Sequence, residues 1–361
     1  MTTIPSTAAS PNFPLGLDIS PSTKTLPSSI PALPSVNVAG NPSTSTDSVV
    51  VSQDIERFGI AGRHWEGAFA LIEYLRSNST SKATTAEDNN GDSQTTSSSL
   101  ERSDNPVFDP PCPLLLIPSS PPTGAQNRKP TIIIDLGSGT GLVGISTLSF
   151  LPPESQIRFV LTDLPEVQSL LHRNVDSSWS SDQLVQTGMK LLVRPLAWGN
   201  AEHIKAIKSE FETSSISVIT ASDLVYFPFL YPSLLRTMLQ LTKGSEASHI
   251  KIILSYKVRS LVREEPFWTS FSRWFDFRPV LRRERINETS SLEDTLNIDM
   301  SAWARFGESE GIFLFVAHRK PATREMETPE DDEQIMAGPS DMVEEAGAPF
   351  EELLLQSIDW D

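Results

Sequence analysis

From residue 131 onward, apolar runs of strand length alternate with segments whose apolar side chains recur every three or four positions. The runs fall at 131–135 (TIIID), 157–162 (IRFVLT), 189–196 (MKLLVRPL), 216–222 (ISVITAS), 250–256 (IKIILSY), 277–284 (FRPVLRRE) and 311–318 (GIFLFVAH). They are rich in β-branched and aromatic residues, which suit a pleated, buried surface. Helical periodicity fills the intervals near 141–150, 165–175, 200–211, 229–242 and 262–275. Strand followed by helix, repeated five times, predicts right-handed crossovers and a parallel α/β sheet with helices on both faces. No helical period separates the last two strands. Their connection, 285–310, is long and polar, which predicts an antiparallel final pair.

Composition limits which residues can join this pattern. Residues 1–50 are rich in Ser, Thr and Pro, hold Lys24 as their only basic side chain and contain no apolar run. They read as a disordered arm, neither signal nor transit peptide. Residues 77–129, from SNSTSKATT to the proline-studded DPPCPLLLIPSSPP, read as a low-complexity insertion in which Leu114 to Ile117 has the character to dock. The folded domain is therefore placed at 51–320, with 321–361 as an acidic tail. That tail holds thirteen Asp or Glu against Arg324 alone, a formal −12 of the chain's −17. Near its end Phe350, Leu353, Leu354 and Ile358 would form one apolar stripe on a helix.

The body's remaining charge gives no footprint for nucleic acid. The basic cluster Arg282, Arg283 and Arg285, interrupted by Glu284, reads as a solvated strand face. Cys112 is the only cysteine, which excludes an intramolecular disulfide and a multi-cysteine zinc site, and the five histidines show no HxxxH pair. No metal is expected. No apolar stretch approaches the roughly 20 residues that cross a bilayer, so no membrane partner is expected. The expectation is a monomer in the cytosol or nucleus.

The first strand runs straight into glycines, as IIIDLGSGTGLVGIS. Gly139, Gly141 and Gly144 spell GxGxxG between a strand and a helix, with Asp163 nineteen residues past the last glycine. That spacing also fits a dinucleotide site. A nucleoside triphosphate is excluded because no Lys-Ser/Thr pair follows Gly144. Asp135, ending the first strand, decides between the others: a carboxylate repels a pyrophosphate but attracts the α-ammonium and sulfonium of S-adenosylmethionine. On this reading Gly137 and Gly139 let the backbone pass close to the ligand. Asp163, in TDLP, accepts the two ribose hydroxyls.

After the strand ending at Ser222 comes SDLVYFP, at the edge of the sheet where α/β folds hold their ligands. Together DLGSGTGLVGI, TDLPEV, LAWGN and a DxxY motif at Asp223 to Tyr226 make the chain, over 55–76 and 130–318, similar to the methyltransferase-21-like seven-stranded protein lysine methyltransferases. The resemblance implies a class I, Rossmann-like methyltransferase sheet and S-adenosylmethionine as cofactor, held by Trp65, Asp135, Gly137, Ser138, Gly139, Asp163, Trp198 and Ser222. It implies Trp65 as a lid ahead of an amphipathic helix, Trp198 stacked on the adenine and Ser222 beside it. Family members usually carry proline after the lid tryptophan, where this chain has Glu66.

Nothing resembles a nucleophile with its base, and direct in-line displacement at a sulfonium methyl needs none. What it needs is a neutral amine held in line. A lysine of pKa about 10.4 is neutral about once in 2,500 molecules at pH 7, so lowering that pKa by 2 units recovers about 2.7 kcal/mol. Tyr226 is assigned to the pocket wall and Asp223 to orienting the amine or its loop, as the catalytic pair. The resemblance implies a protein substrate, such as a translation elongation factor or a chaperone. The alternatives are methylation of a small molecule such as a pyridine, or a cofactor-binding scaffold without activity.

Overall fold

The computed structural model describes residues 19–25, 51–77, 106–116, 130–151, 156–283, 303–307 and 311–339. Ile117, Arg285 and the stripe from Phe350 to Ile358 lie outside the described residues, as do the rest of the arm and most of the insertion.

Ten strands and nine α-helices run in chain order through the described residues. The strands are β1 (Val107–Asp109), β2 (Thr131–Leu136), β3 (Ile157–Asp163), β4 (Lys190–Pro195), β5 (Ile216–Ser222), β6 (Lys251–Lys257), β7 (Phe275–Pro279), β8 (Leu281–Arg283), β9 (Ala304–Arg305) and β10 (Ile312–Arg319). The helices are α1 (Ile55–Phe58), α2 (Glu66–Arg76), α3 (Leu142–Leu148), α4 (Gln168–Ser178), α5 (Ser181–Thr187), α6 (Ala201–Glu210), α7 (Tyr231–Leu241), α8 (Leu261–Trp274) and α9 (Asp332–Ala337). Seven strands form one sheet in the order β4-β3-β2-β5-β6-β10-β7. The pairs from β4 to β6 are parallel, and β10 lies antiparallel to both β6 and β7. This is the predicted class I methyltransferase topology, with the antiparallel pair closing it.

The two-residue period of each strand divides the core into two layers. Ile132, Ile134 and Leu136 of β2 face one layer and Ile133 the other; β6 does the same with Ile252 and Leu254 against Ile253. The first layer holds Leu234 and Met238 of α7 and Phe267, Trp268 and Phe271 of α8. The second holds α2, α3 and part of α4, so the glycine loop and the expected lid helix share one face. Strand order reverses between β2 and β5, which leaves a crevice at the carboxyl ends of both strands.

Three departures from the sequence pattern have local causes. The predicted strand 277–284 breaks at Val280, and its second half leaves the main sheet to pair with β1 and β9 in a small three-stranded sheet. There Arg282 pairs with Glu73 at 2.9 Å and the Arg283 guanidinium lies 4.8 Å from the Trp303 ring, so these two arginines of the basic cluster are partnered and are not a freely solvated face. A helix not expected from the pattern, α5, begins with a capping box in which Ser180 and Gln183 satisfy each other's backbone N–H. Residues 321–339, grouped above with the acidic tail, pack on α7 and α8. Ile335 and Thr323 are fully buried, and the Trp274 indole donates to the Ile335 carbonyl at 2.8 Å. Arg236 donates to the Glu330 carbonyl at 2.6 Å.

Ile335 is thus the apolar anchor of an otherwise charged segment. Ile335→Ala is expected to lower unfolding free energy by about 2–4 kcal/mol in a urea titration, the cost of emptying a full side-chain site. An unchanged midpoint would mean that this segment contributes nothing to the core.

Candidate functional site

Every residue assigned to the site from sequence lines one cleft at the carboxyl edge of the sheet, with an enclosed and open volume of about 1080 Å³. Trp65, Asp135, Gly137, Ser138, Gly139, Asp163, Trp198, Ser222, Asp223 and Tyr226 all contribute to its wall. Among the described residues no cluster of three or more His, Cys, Asp or Glu could hold a metal ion, and no helix is long and apolar enough to cross a membrane.

The floor is the turn from β2 into α3. Gly137 and Gly139 have φ of +57° and +55°, a region that suits glycine. A Cβ on Gly137 would lie 2.7 Å from Leu224 Cδ2 and 3.0 Å from Trp198 Cζ2, and one on Gly139 would lie 2.9 Å from the Ala61 carbonyl oxygen. Ser138 stitches the turn to β3: its N–H donates to the Thr162 carbonyl at 2.9 Å, and its Oγ accepts the Thr162 N–H at 3.0 Å.

Two buried acids face this floor. Asp135 accepts the Thr220 hydroxyl at 2.6 Å, yet burial pushes its carboxyl up to about 7, with the Thr220 and Ser138 hydroxyls pulling the other way. Asp163 accepts the N–H of Gly139 at 2.7 Å and of Leu164 at 2.8 Å; burial pushes it up to about 6, against those two bonds. A carboxylate has about four lone-pair sites, so acceptor capacity remains on Asp163.

Aromatic and charged groups form the walls. Trp198 and Tyr226 meet edge to face at 6.4 Å, and Tyr226 meets Phe227 at 4.8 Å. Burial, with the charge of Asp163, raises the Tyr226 hydroxyl well above its ordinary range, so the phenol stays protonated. Trp65 precedes α2 in extended conformation and ties its indole N–H to the Ile60 carbonyl at 2.9 Å. Glu66 occupies the first helical position, where proline is also accepted; its acid suits the helix amino end and pairs with Arg63 at 2.8 Å.

Asp223 does not cap the following helix. Its Oδ2 accepts the Gly67 N–H of α2 at 2.6 Å, and its Oδ1 accepts the Lys257 N–H at 3.1 Å and Arg259 at 3.0 Å. Sequence reasoning missed Gly67, Arg259, Arg63 and His64. The glycine in GRHWEG was the available signal for the first, because a Cβ there would lie 2.5 Å from Asp223 Oδ2. His64 is buried on the cleft wall, and loss of solvent pulls its imidazole down to about 4, so it is neutral near pH 7.

A reversed parallel sheet, a glycine turn at its crevice and acids ending β2 and β3 define a class I methyltransferase. The sequence profile of the lysine methyltransferase family matches residues 44–274, and the chain belongs to that family. It is 27% identical over 148 residues to "Protein-lysine N-methyltransferase EFM6" of Saccharomyces cerevisiae, covering 40% of this chain and 56% of that protein. It is 31% identical to "Protein N-lysine methyltransferase METTL21A" of Xenopus tropicalis, over 35% of this chain and 49% of the relative. "EEF1A lysine methyltransferase 3" of the same species matches at 34%, over 35% and 47%. The chain thus spans about half the length of the curated relatives it matches.

Class I methyltransferases use S-adenosylmethionine, and the cleft suits it: the glycine turn admits Leu224, Trp198 and Ala61 close to its backbone, Trp198 offers a flat face, and the buried Asp135 awaits a cation. Because burial favours the protonated form of Asp135, a cationic ligand should drive that proton off. Calorimetry of S-adenosylmethionine binding at pH 6.5, in two buffers of different ionisation enthalpy, is expected to show proton release that fades by pH 8.5. Heats independent of buffer at pH 6.5 would contradict the protonated, cation-seeking carboxyl.

Proposed function

We propose that this protein transfers a methyl group from S-adenosylmethionine to a lysine side chain of another protein. The observation that carries the reading is the placement of Tyr226, which stands on the cleft wall beside Trp198 while Asp223, three residues earlier, ties its loop to α2. S-adenosylmethionine supplies an electrophilic methyl on a sulfonium, and losing it leaves a neutral thioether.

The chain's own residues then have three tasks. The glycine turn, Asp135, Asp163, Trp198 and Ser222 bind the donor, with Trp65 covering it. Tyr226 presents an uncharged wall against which an alkylamine can lie, excluding water from the line of attack. Asp223 orients the loop, since its oxygens are taken by Gly67, Lys257 and Arg259. The relatives named above are lysine methyltransferases, and one carries EEF1A in its name. This supports a protein substrate, with an elongation factor as the first candidate; a chaperone as substrate, and a monomer acting in the cytosol or nucleus, belong to the same proposal.

Methyl-labelled S-adenosylmethionine and a heat-treated, dialysed cell lysate test this reading, with the wild type and Tyr226→Ala run side by side. Acid hydrolysis of the labelled protein is expected to release methylated lysine, and the variant should label at least tenfold more slowly at nearly unchanged donor affinity. Label confined to small molecules in an undialysed lysate would shift the reading to a small-molecule enzyme. No label at all would leave a scaffold.

A further inference from the structure

Arg259 follows β6 by two residues, and no motif in the sequence marks it. Its guanidinium donates to Asp223 Oδ1 at 3.0 Å and to the Lys257 carbonyl at 3.1 Å. It stands 5.3 Å from the centre of the Trp65 ring, and its charge also acts on the Tyr226 hydroxyl. Three wall residues of the cleft therefore share one cation. The loop is pinned from behind by the buried carboxylate of Glu264, which accepts the N–H of Arg259 at 3.2 Å, the N–H of Ser260 at 3.1 Å and the Tyr256 hydroxyl. The backbone thus fixes where this arginine begins.

Exposure gives the pair a direction. Asp223 lines the cleft with its side chain 1% exposed, whereas Arg259 is 30% exposed and stands outside the cleft wall, so the guanidinium acts on the cleft through the carboxylate it pairs with. The neighbouring charges keep the same sense. Glu66 is held by Arg63 at 2.8 Å and faces Lys257 Nζ at 3.9 Å, while the Arg63 guanidinium lies 4.4 Å from the Trp65 ring. Glu264 lies behind the loop, Asp163 sits across the cleft near Tyr226, and His64 on the wall is neutral. The Trp65 ring thus carries two guanidinium groups, those of Arg63 and Arg259, although the chain as a whole carries −17.

Resting on the protein-lysine reading above, we propose that Arg259 cancels the charge of Asp223 so that an entering lysine gives up its proton before it is methylated. Held only by the uncharged N–H groups of Gly67 and Lys257, the carboxylate would keep its net negative charge and hold the substrate as ammonium, which has no lone pair to attack with. With the carboxylate paired, the ammonium loses its proton to bulk water and the nitrogen lone pair forms the new N–C bond. The electron pair of the breaking C–S bond stays on sulfur, and the alkylammonium product later sheds its own proton if methylation continues. Arg259 acts through the field at the reacting end. It is a positioning residue and contributes no reacting atom.

Removing one positive charge within a side chain's reach moves a neighbouring amine's pKa upward by about one unit. For Arg259→Gln, the rate of label transfer to the heat-treated lysate is expected to fall about tenfold at pH 7.5 and to approach wild type by pH 9.5. Arg259→Lys should keep the wild-type profile. Calorimetry supplies a readout independent of turnover, because S-adenosylmethionine and S-adenosylhomocysteine differ by the charge on sulfur. The glutamine variant should favour the charged ligand over the neutral one at least about threefold more than the wild type does. Equal loss at every pH, or an unchanged affinity ratio, would overturn the role of Arg259 and leave the protein-lysine reading intact. A wild-type enzyme that labels no protein would overturn both.

Discussion

The site depends on one buried carboxylate. Asp223 sits at φ +56°, a left-handed conformation that costs a non-glycine residue energy and that Asp tolerates better than most. That geometry turns its side chain back into the molecule, where it accepts N–H groups from Gly67 on α2 and Lys257 on β6, together with the guanidinium of Arg259. Each such bond to a charged acceptor is worth about 1.5–3 kcal/mol, and leaving any of them unmade in a buried place costs a similar amount. The helix that Trp65 precedes, the strand end that carries Ser222 and the loop that carries Arg259 are therefore held in one arrangement.

Around that clamp the cleft separates its charges by depth. Asp135 and Asp163 lie inside, where loss of solvent favours their protonated forms until a cation arrives. Arg63 and Arg259 lie against the Trp65 ring with Lys257 facing the neighbouring Glu66, and Tyr226 and Trp198 offer faces without charge. Methyl transfer from a sulfonium to an amine uses this order well. On the proposed reading Asp135 would meet the donor's positive charge and Asp163 its ribose hydroxyls, and the acceptor must reach the methyl uncharged. Little covalent chemistry is asked of the protein, so placement and field carry the work.

Much of this was legible in sequence, because it was written locally. Apolar runs of strand length located the strands of the main sheet, though the run 277–284 only in its first half, and the glycine turn, TDLP and DxxY each place their side chains within a few residues of a strand end. The partners of Asp223 were not legible: Gly67 lies 156 residues upstream and Arg259 lies 36 downstream, and no period links them. The small sheet was missed because strands of two or three residues carry no pattern. The helix α9 hides among acids, with Ile335 as its one fully buried apolar anchor. Glu66 opens the first turn of α2, where its acid suits the helix amino end.

The carboxylate of Asp223, seated against the Gly67 N–H, holds the start of α2, and with it Trp65, on the cleft. Gly67→Ala tests it most directly, since a methyl there would stand 2.5 Å from Asp223 Oδ2 while leaving a residue favourable to helix. Calorimetric titration with S-adenosylhomocysteine, on a variant shown by circular dichroism to keep its fold, should give an affinity reduced at least about tenfold, as α2 and Trp65 are pushed from the cleft. Wild-type affinity in a folded Gly67→Ala protein would contradict the account.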